Sequence, residues 1–501
     1  MLFPDGHDPA HCAFVLEPSG VRVSYGELID RSRRVARVLR QLGCQPRDPV
    51  AMMMENNEHF LVCAWAAQRS GLRYTAASSR LTPDEIAYIL GDCEAKVVLA
   101  SRATAEIVRR AIEDTPHAPV CLCVDGTSEG FSDLRTIDAP SAPLPDEAEG
   151  VDMLYSSGTT GRPKGIAAEI NLDPLGTPPG IVMMMQELWK IDADAVYLSP
   201  APLYHAAPLR FCMAMHRVGA TCVVMERFDA VALLELIERH RVTHTQLVPA
   251  MMVRILKLPP EERERFDLRS LRCVIHAAAA CPAEIKRGWI EWLGPIVYEY
   301  YSATENHMLT TISSEEALAR PGSVGRPLLG MPHVLDEEGR ELPVGEVGTI
   351  WAEGGREFVY HNDPEETAES RNPQGYRTVG DLGYVDADGY VYLSDRRADL
   401  VICGGVNVYP REAEDRLLLH PKVIDAAVFG IPDEELGQVV HAVVQPAAGE
   451  RGPDLEAELL DFLGEKLARF KLPRAIDFRD ELPRHPTGKL YKRLLRDEYA
   501  R

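Results

Sequence analysis

The stretch "YSSGTTGRPKG", Tyr155 to Gly165, gathers serine and threonine hydroxyls, glycines and the cations Arg162 and Lys164 into eleven residues. Backbone N–H groups, hydroxyl donors and positive charge offered together are what a loop needs to grasp a polyphosphate. The spacing is not the GxxxxGK[ST] pattern, because Lys164 precedes Gly165 and is separated from Gly161 by two residues. A different kind of phosphate loop is implied.

Helical and strand patterns alternate on both sides of this loop. "VSYGELIDRSRRVARVLRQLG" opens with Ser24 and Glu27 as a capping box and sets Ile29, Val35, Val38, Leu39 and Leu42 at helical spacing. "LTPDEIAYILGD" repeats the device, with Thr82 as N-cap, Pro83 at the first helical position and Glu85 closing the box. The β-rich runs "KVVLA", "TCVVM" and "RCVIHA" lie between such helices. The fold class expected is α/β: a large N-terminal domain of several subdomains with mainly parallel sheets, plus a small mobile α+β C-terminal domain.

Composition bounds the setting. With 501 residues and 46% hydrophobic content, the chain is too long for one ordinary domain and apolar enough for a large core. A formal charge of −22 argues against a nucleic-acid partner, so an anionic ligand must meet a local basic patch. No apolar run reaches the 18 or so residues of a membrane span. The eleven cysteines include no CxxC pair, which argues against a zinc site, and the beginning shows no signal pattern. A cytoplasmic, reduced location is the expectation.

Character changes near "SDRRAD". The turn signal "DADG" precedes the alternating strand "YVYLSD", and a charged joint at 395–398 follows. The domains expected are therefore 1–395 and 396–501. The last part of the smaller one carries Lys466, Arg469, Lys471, Arg474, Arg479, Arg484, Lys489, Lys492 and Arg493. This reads as the basic patch that the acidic average conceals.

Six further motifs follow the loop in order: "APLYHAAPLR", "IHAAAACP", "YEYYSATE", "YRTVGDLG", "SDRRAD" and "LPRHPTGKLYKR". Together they resemble the adenylate-forming superfamily, specifically its acyl-CoA synthetases, over nearly the whole chain. The resemblance implies roles residue by residue. Ser156, Ser157, Gly158, Thr159, Thr160, Gly161 and Lys164 hold the β- and γ-phosphates of ATP, and His205 borders the acyl pocket and thiol channel. Ala277, Ala278 and Ala279 flank adenine, on which Tyr301 stacks. Thr304 bonds the α-phosphate, and Glu305 holds Mg²⁺, a hard cation suited to oxygen ligands. Asp381 accepts from the ribose hydroxyls and Arg396 reaches ribose and phosphate. Lys489 contacts the carboxylate and α-phosphate during adenylation, offsetting the repulsion of two anions.

The activity implied is a ligase that joins a carboxylic acid to CoA. ATP converts the acid to an acyl-adenylate with loss of pyrophosphate, and a thiol then displaces AMP. In the family the small domain rotates between the steps, withdrawing the lysine and presenting "ICGGVNVYP", where Gly404 and Gly405 lie beside the pantetheine channel. "HAAP" lacks the acidic residue that would pair a substrate ammonium, so amino acids are excluded. No evident cation awaits a second carboxylate, so a bulky or long apolar acid is expected, whether fatty, aromatic, steroidal or terpenoid.

There are departures too: Ala398 stands where the joint is often acidic or lysine, and alanines replace glycines in the adenine strand and at Ala303. They leave open an enzyme that mainly thioesterifies a preformed adenylate. A carrier protein loaded in trans and a homodimer are the partners left open; a luciferase-like oxygenase and a silent scaffold are the rival classes.

Overall fold

The computed structural model describes residues 2–115, 117–156, 163–433, 435–447, 450–484 and 490–499. Of the residues named above, Ser157, Gly158, Thr159, Thr160, Gly161, Arg162 and Lys489 lie outside this set, as does the side chain of Ser156.

Both capping boxes form. Ser24 Oγ accepts from the Glu27 amide at 3.2 Å while Glu27 returns a carboxylate to the Ser24 amide at 2.8 Å, starting the helix Tyr25–Gln41. The Thr82–Glu85 pair starts Pro83–Asp92 in the same way. One expected member of the first apolar stripe falls elsewhere: Leu42 is the C-cap and 37% exposed, whereas Leu28, not singled out by spacing, is fully buried. The helix ends before the next inward position is reached.

The chain divides into two compact units. The first comprises 1–246, 266–273 and 358–367. It holds an all-parallel sheet in the order Ser132–Asp133, Val120–Cys123, Val97–Ala100, Pro49–Met53, Arg73–Ala77, Val151–Asp152. It also holds the parallel strands Cys12–Glu17, Thr221–Met225, Val196–Ser199 and His244–Leu247. The central strands Pro49–Met53, Val97–Ala100 and Thr221–Met225 are near-continuous apolar runs, as sheets covered on both faces favour. A small antiparallel sheet joins Leu154–Ser156, Lys164–Ala167 and Val359–Tyr360, so the two flanks of the opening sequence pair with each other.

The second unit comprises 247–265, 274–357 and 368–501. In it Val297–Ser302 runs parallel to Cys273–His276, and the strands that follow are antiparallel. The "DADG" turn forms as expected: Asp386 Oδ1 accepts from the amides of Asp388 and Tyr390, each at 2.9 Å, between Asp381–Val385 and Val391–Arg396. Beyond it the chain builds its own smaller sheet around the long hairpin Val423–Asp433 and Gly437–Pro446, with Val401–Cys403, Val406–Val408 and Ile476–Phe478. That sheet has its own core, including Leu417, Val428, Val444, Leu459 and Leu463. The architecture is thus α/β with a large N-terminal part and a smaller C-terminal one.

Candidate active site

In the second unit, three of the expected residues meet. Asp381 and Arg396 are register partners on antiparallel strands, and Arg396 Nε lies 3.4 Å from Asp381 Oδ1. The Tyr301 hydroxyl donates to Asp381 Oδ2 at 2.5 Å. Burial and then the Asp381 charge push the Tyr301 hydroxyl well above its ordinary pKa, so it stays protonated and remains a donor. The carboxylate is thereby aimed and flanked by a cation, as an acceptor for a vicinal diol needs.

Glu305 is buried, and its charge acts on both Tyr301 and Arg396, while Thr304 is half-buried beside it. Among the described residues no group of three or more His, Cys, Asp or Glu gathers as a metal cage. A metal at Glu305 would rest on one carboxylate plus substrate oxygens, an arrangement Mg²⁺ accepts.

The strand Cys273–His276 is followed by the alanines expected beside adenine. Ala277 is buried, and Ala278 and Ala279 are exposed. Ala278 adopts φ +75°, a left-handed conformation that disfavours a Cβ by about 1–2 kcal/mol. The chain keeps, at an exposed residue, the turn that glycine would make easily. Beneath the strand lies a pair that the sequence did not reveal: Lys286 donates to Glu299 and to the Ser323 carbonyl, with His276 Nδ1 3.9 Å from Glu299. Burial pulls His276 down to about 4, so it is neutral there.

The joint is anchored despite Ala398. Its carbonyl accepts from Arg496 Nη1 at 2.7 Å, and Asp399 next to it pairs with Arg496 Nη2 at 2.8 Å. The backbone and the following residue do what a side chain at 398 does not.

Gly404 and Gly405 sit at φ +56° and +79° in the tight turn between Val401–Cys403 and Val406–Val408, a hairpin geometry that demands positive φ at both positions. A Cβ at Gly405 would meet nothing within 4 Å, so turn conformation alone explains it here. Gly405→Asn separates the two reasons for glycine, because asparagine tolerates the left-handed region but carries a side chain. If a thiol channel also needs the space, thioester formation should fall at least about tenfold, with the melting temperature held within about 3 °C. Unchanged thioester formation would leave only the turn.

The basic tail is corrected by the structure. Lys471 pairs with Glu412, Arg474 with Asp433, Arg479 with Glu498, Arg484 with Asp425, Lys492 with Glu414 and Arg493 with Asp497. Clustering along the sequence did not foresee these acidic partners. Among the described residues, Lys466 and Arg469 are the members of that cluster left without an ion pair.

In the first unit, Lys164 opens the strand Lys164–Ala167 opposite Ser156. Its side chain is 8% exposed, its Nζ lies 2.5 Å from Glu366 Oε1, and it stands 5.4 Å from the centre of the Tyr360 ring. Tyr155 donates its hydroxyl to Asp92, and a Cβ at Gly165 would stand 3.0 Å from the Tyr155 ring, which would have to give by a few tenths of an ångström to admit it. His205 is the buried N-cap of Ala206–Val218, edge-on to Tyr204 at 4.5 Å. Its loop is clamped by Asn56, whose Oδ1 accepts from the Leu203 amide at 2.8 Å and whose Nδ2 donates to Met225 O at 2.8 Å and Ala201 O at 3.3 Å. On the same helix Arg210 is committed to Asp152, 2.7 Å away, and Arg217 to Glu149, also at 2.7 Å. Glu366 and Asn56 carried no sequence signal, since each acts on a motif distant along the chain.

Comparison with known proteins agrees with these motifs over both parts. The family described as AMP-binding enzyme matches residues 6–357, and the AMP-binding enzyme C-terminal domain matches 412–489. A fatty acid–[acyl-carrier-protein] ligase, ScoC of Streptomyces coeruleorubidus, is 32% identical over 98% of this chain and 94% of its own. The long-chain-fatty-acid–CoA ligase FadD13 of Mycobacterium tuberculosis is 30% identical, covering 97% of this chain and 95% of its own. ATP-bound MatB from Rhodopseudomonas palustris superposes with a TM-score of 0.82 at 31% identity, covering 98% of this chain and 96% of that one. The chain therefore belongs to the AMP-binding enzymes, the adenylate-forming superfamily, among its acyl-CoA and acyl-carrier-protein ligases.

Proposed function

We propose that this ATP-dependent acid–thiol ligase activates a bulky or long apolar monocarboxylic acid as its acyl-adenylate and transfers the acyl group to CoA. The observation that carries the nucleotide half is the Tyr301–Asp381–Arg396 constellation, a carboxylate acceptor held ready between a donor and a cation. For the acid, the support is positive charge already matched: the helix after His205 carries Arg210 and Arg217, and both are committed to carboxylates of the protein. A second substrate carboxylate would lack a cation on that helix. Apart from His216, the remainder of its buried face is largely apolar, with Leu209, Phe211, Met213 and Met215.

The roles proposed are those of the resemblance. Lys164 with its loop takes the β- and γ-phosphates, Tyr301 the adenine, Asp381 and Arg396 the ribose, and Thr304 the α-phosphate. Glu305 would hold Mg²⁺, which supplies charge neutralisation at the phosphates when bound. His205 borders the acyl pocket, and Lys489, carried by the smaller part beyond residue 396, serves adenylation alone. Lys466 and Arg469 offer positive charge for the nucleotide phosphates of CoA. A carrier-protein thiol is the second reading, favoured by the name of ScoC.

Pyrophosphate release measured over a panel of carboxylic acids, each with CoA, with a phosphopantetheinylated carrier protein or with neither, tests this. Release with apolar acids and thioester formation on CoA are expected. Release with every acid absent, while supplied acyl-AMP and CoA still give thioester, would establish the enzyme of the second half-reaction instead. Oxygen consumption or light from acyl-AMP would point to an oxygenase. Glu305→Gln tests the metal assignment: it keeps shape but removes a charge from a hard-cation site, so adenylation should need several-fold, about 5–10 times, more Mg²⁺. An unchanged Mg²⁺ titration removes Glu305 from the metal.

A further inference from the structure

Lys164 is not idle in the structure. Its buried ammonium meets one carboxylate oxygen of Glu366 at 2.5 Å and faces the Tyr360 ring, and these are its polar and aromatic partners among the described residues. The carboxylate is built to stay there. Glu366 lies on the short helix Pro364–Glu369, and its amide donates to Asp363 Oδ1 at 3.0 Å. Thr367 Oγ1 ties that helix back to its strand, donating to Asp363 O at 2.7 Å and accepting from the Tyr360 amide at 2.9 Å. The His361 amide donates to Gly165 O at 2.8 Å, which fixes the whole turn against the strand that carries Lys164. Lysine and glutamate are therefore held face to face by backbone on both sides.

A phosphate that takes Lys164 must share the ammonium with this carboxylate or displace it, and in a water-poor setting that competition is strong. We infer that Glu366 is a positioning residue that holds Lys164 before ATP arrives and recaptures it after adenylation, weakening the grip on the triphosphate and on the departing pyrophosphate. The inference rests on the reading that Lys164 serves the β- and γ-phosphates. It adds a residue that opposes binding, and it gives the enzyme a way to release pyrophosphate without waiting for the ammonium to find water. A lysine gripping phosphates with no competitor would bind ATP more tightly and let product go more slowly.

The test is equilibrium binding of Mg²⁺–pyrophosphate, Mg²⁺–ATP and AMP to the full chain, by calorimetry, in unmodified protein, Glu366→Gln, Lys164→Ala and the double variant. Glu366→Gln keeps an acceptor oxygen in place and removes the charge. It should bind pyrophosphate and ATP about tenfold more tightly, with AMP, which lacks both outer phosphates, unchanged. Pyrophosphate should likewise inhibit adenylation at about tenfold lower concentration. In the Lys164→Ala background the same change should have no effect, because Glu366 acts through the lysine.

Equal or weaker pyrophosphate binding by Glu366→Gln overturns the inference, and so does a gain that persists without Lys164. If the unmodified protein binds neither ATP nor pyrophosphate, the assignment of Lys164 to phosphates falls and this inference with it. Binding by the unmodified protein with no response to Glu366→Gln overturns the inference alone.

Discussion

Lys489→Ala should form acyl-adenylate about 100 to 1,000 times more slowly than the unmodified enzyme, the loss expected when one preorganised charge is removed from where two anions meet. Thioester formation from supplied acyl-AMP should be preserved, because the phosphorus–oxygen bond that the lysine helps to make already exists in that substrate. Pyrophosphate release reports the first step and CoA consumption the second. Among the described residues nearest to it in sequence, Arg484 and Leu490 are bridged to each other. Arg484 is also locked to Asp425, and Lys492 pairs with Glu414 at 2.9 Å. Equal losses in both steps by a folded variant would end the division of labour.

Much of the fold was legible because it rests on local chemistry. Ser24 with Glu27 and Thr82 with Glu85 announce helix starts through bonds to residues three positions away, and the Asp386 turn announces a hairpin within four. Leu42 shows where such reading stops: periodicity continues past the point at which the helix ends. Charge was legible in amount but not in arrangement. The basic tail looked open to an anion because its partners, Glu412, Asp425 and Asp433 among them, come from distant segments. Ala398 looked like a missing anchor for the opposite reason, since a backbone carbonyl needs no particular side chain to receive Arg496.

The site divides along the same line. Tyr301 and Asp381 were named singly for separate contacts with a nucleotide, and the structure joins them by a hydrogen bond that no spacing foretold. Glu366 lay outside every motif because its role depends on Val359–Tyr360 pairing with the lysine's own strand. Ala278 is the converse case, a residue that sequence flagged for its size and that the structure shows to matter for its backbone angle.

Asp381→Ala gives the other large effect and has a different signature. Ribose is common to ATP and to acyl-AMP, so losing its acceptor should slow both half-reactions, each by about 100-fold. That is the consequence of removing hydrogen bonds to a charged group worth about 1.5–3 kcal/mol apiece. Part of the loss has a structural source. Without the carboxylate, the buried Tyr301 hydroxyl loses the acceptor it holds at 2.5 Å and Arg396 loses its counter-charge. Arg396 keeps access to water, with 35% of its side chain exposed, so that share should be modest.

Two controls divide the causes. Asp381→Asn retains the shape and one acceptor oxygen, and should recover stability more fully than activity. Tyr301→Phe removes the hydroxyl and leaves the carboxylate, so ribose binding should change little, by about threefold or less, while any stacking of the ring persists. Thermal melts of all three variants fix the structural share, and both half-reactions are then compared with Lys489→Ala. A nucleotide-binding Asp381 requires acyl-AMP use to fall together with ATP use. If Asp381→Ala spares the acyl-AMP step while abolishing pyrophosphate release, the residue acts on the outer phosphates or the metal, and the ribose assignment is wrong.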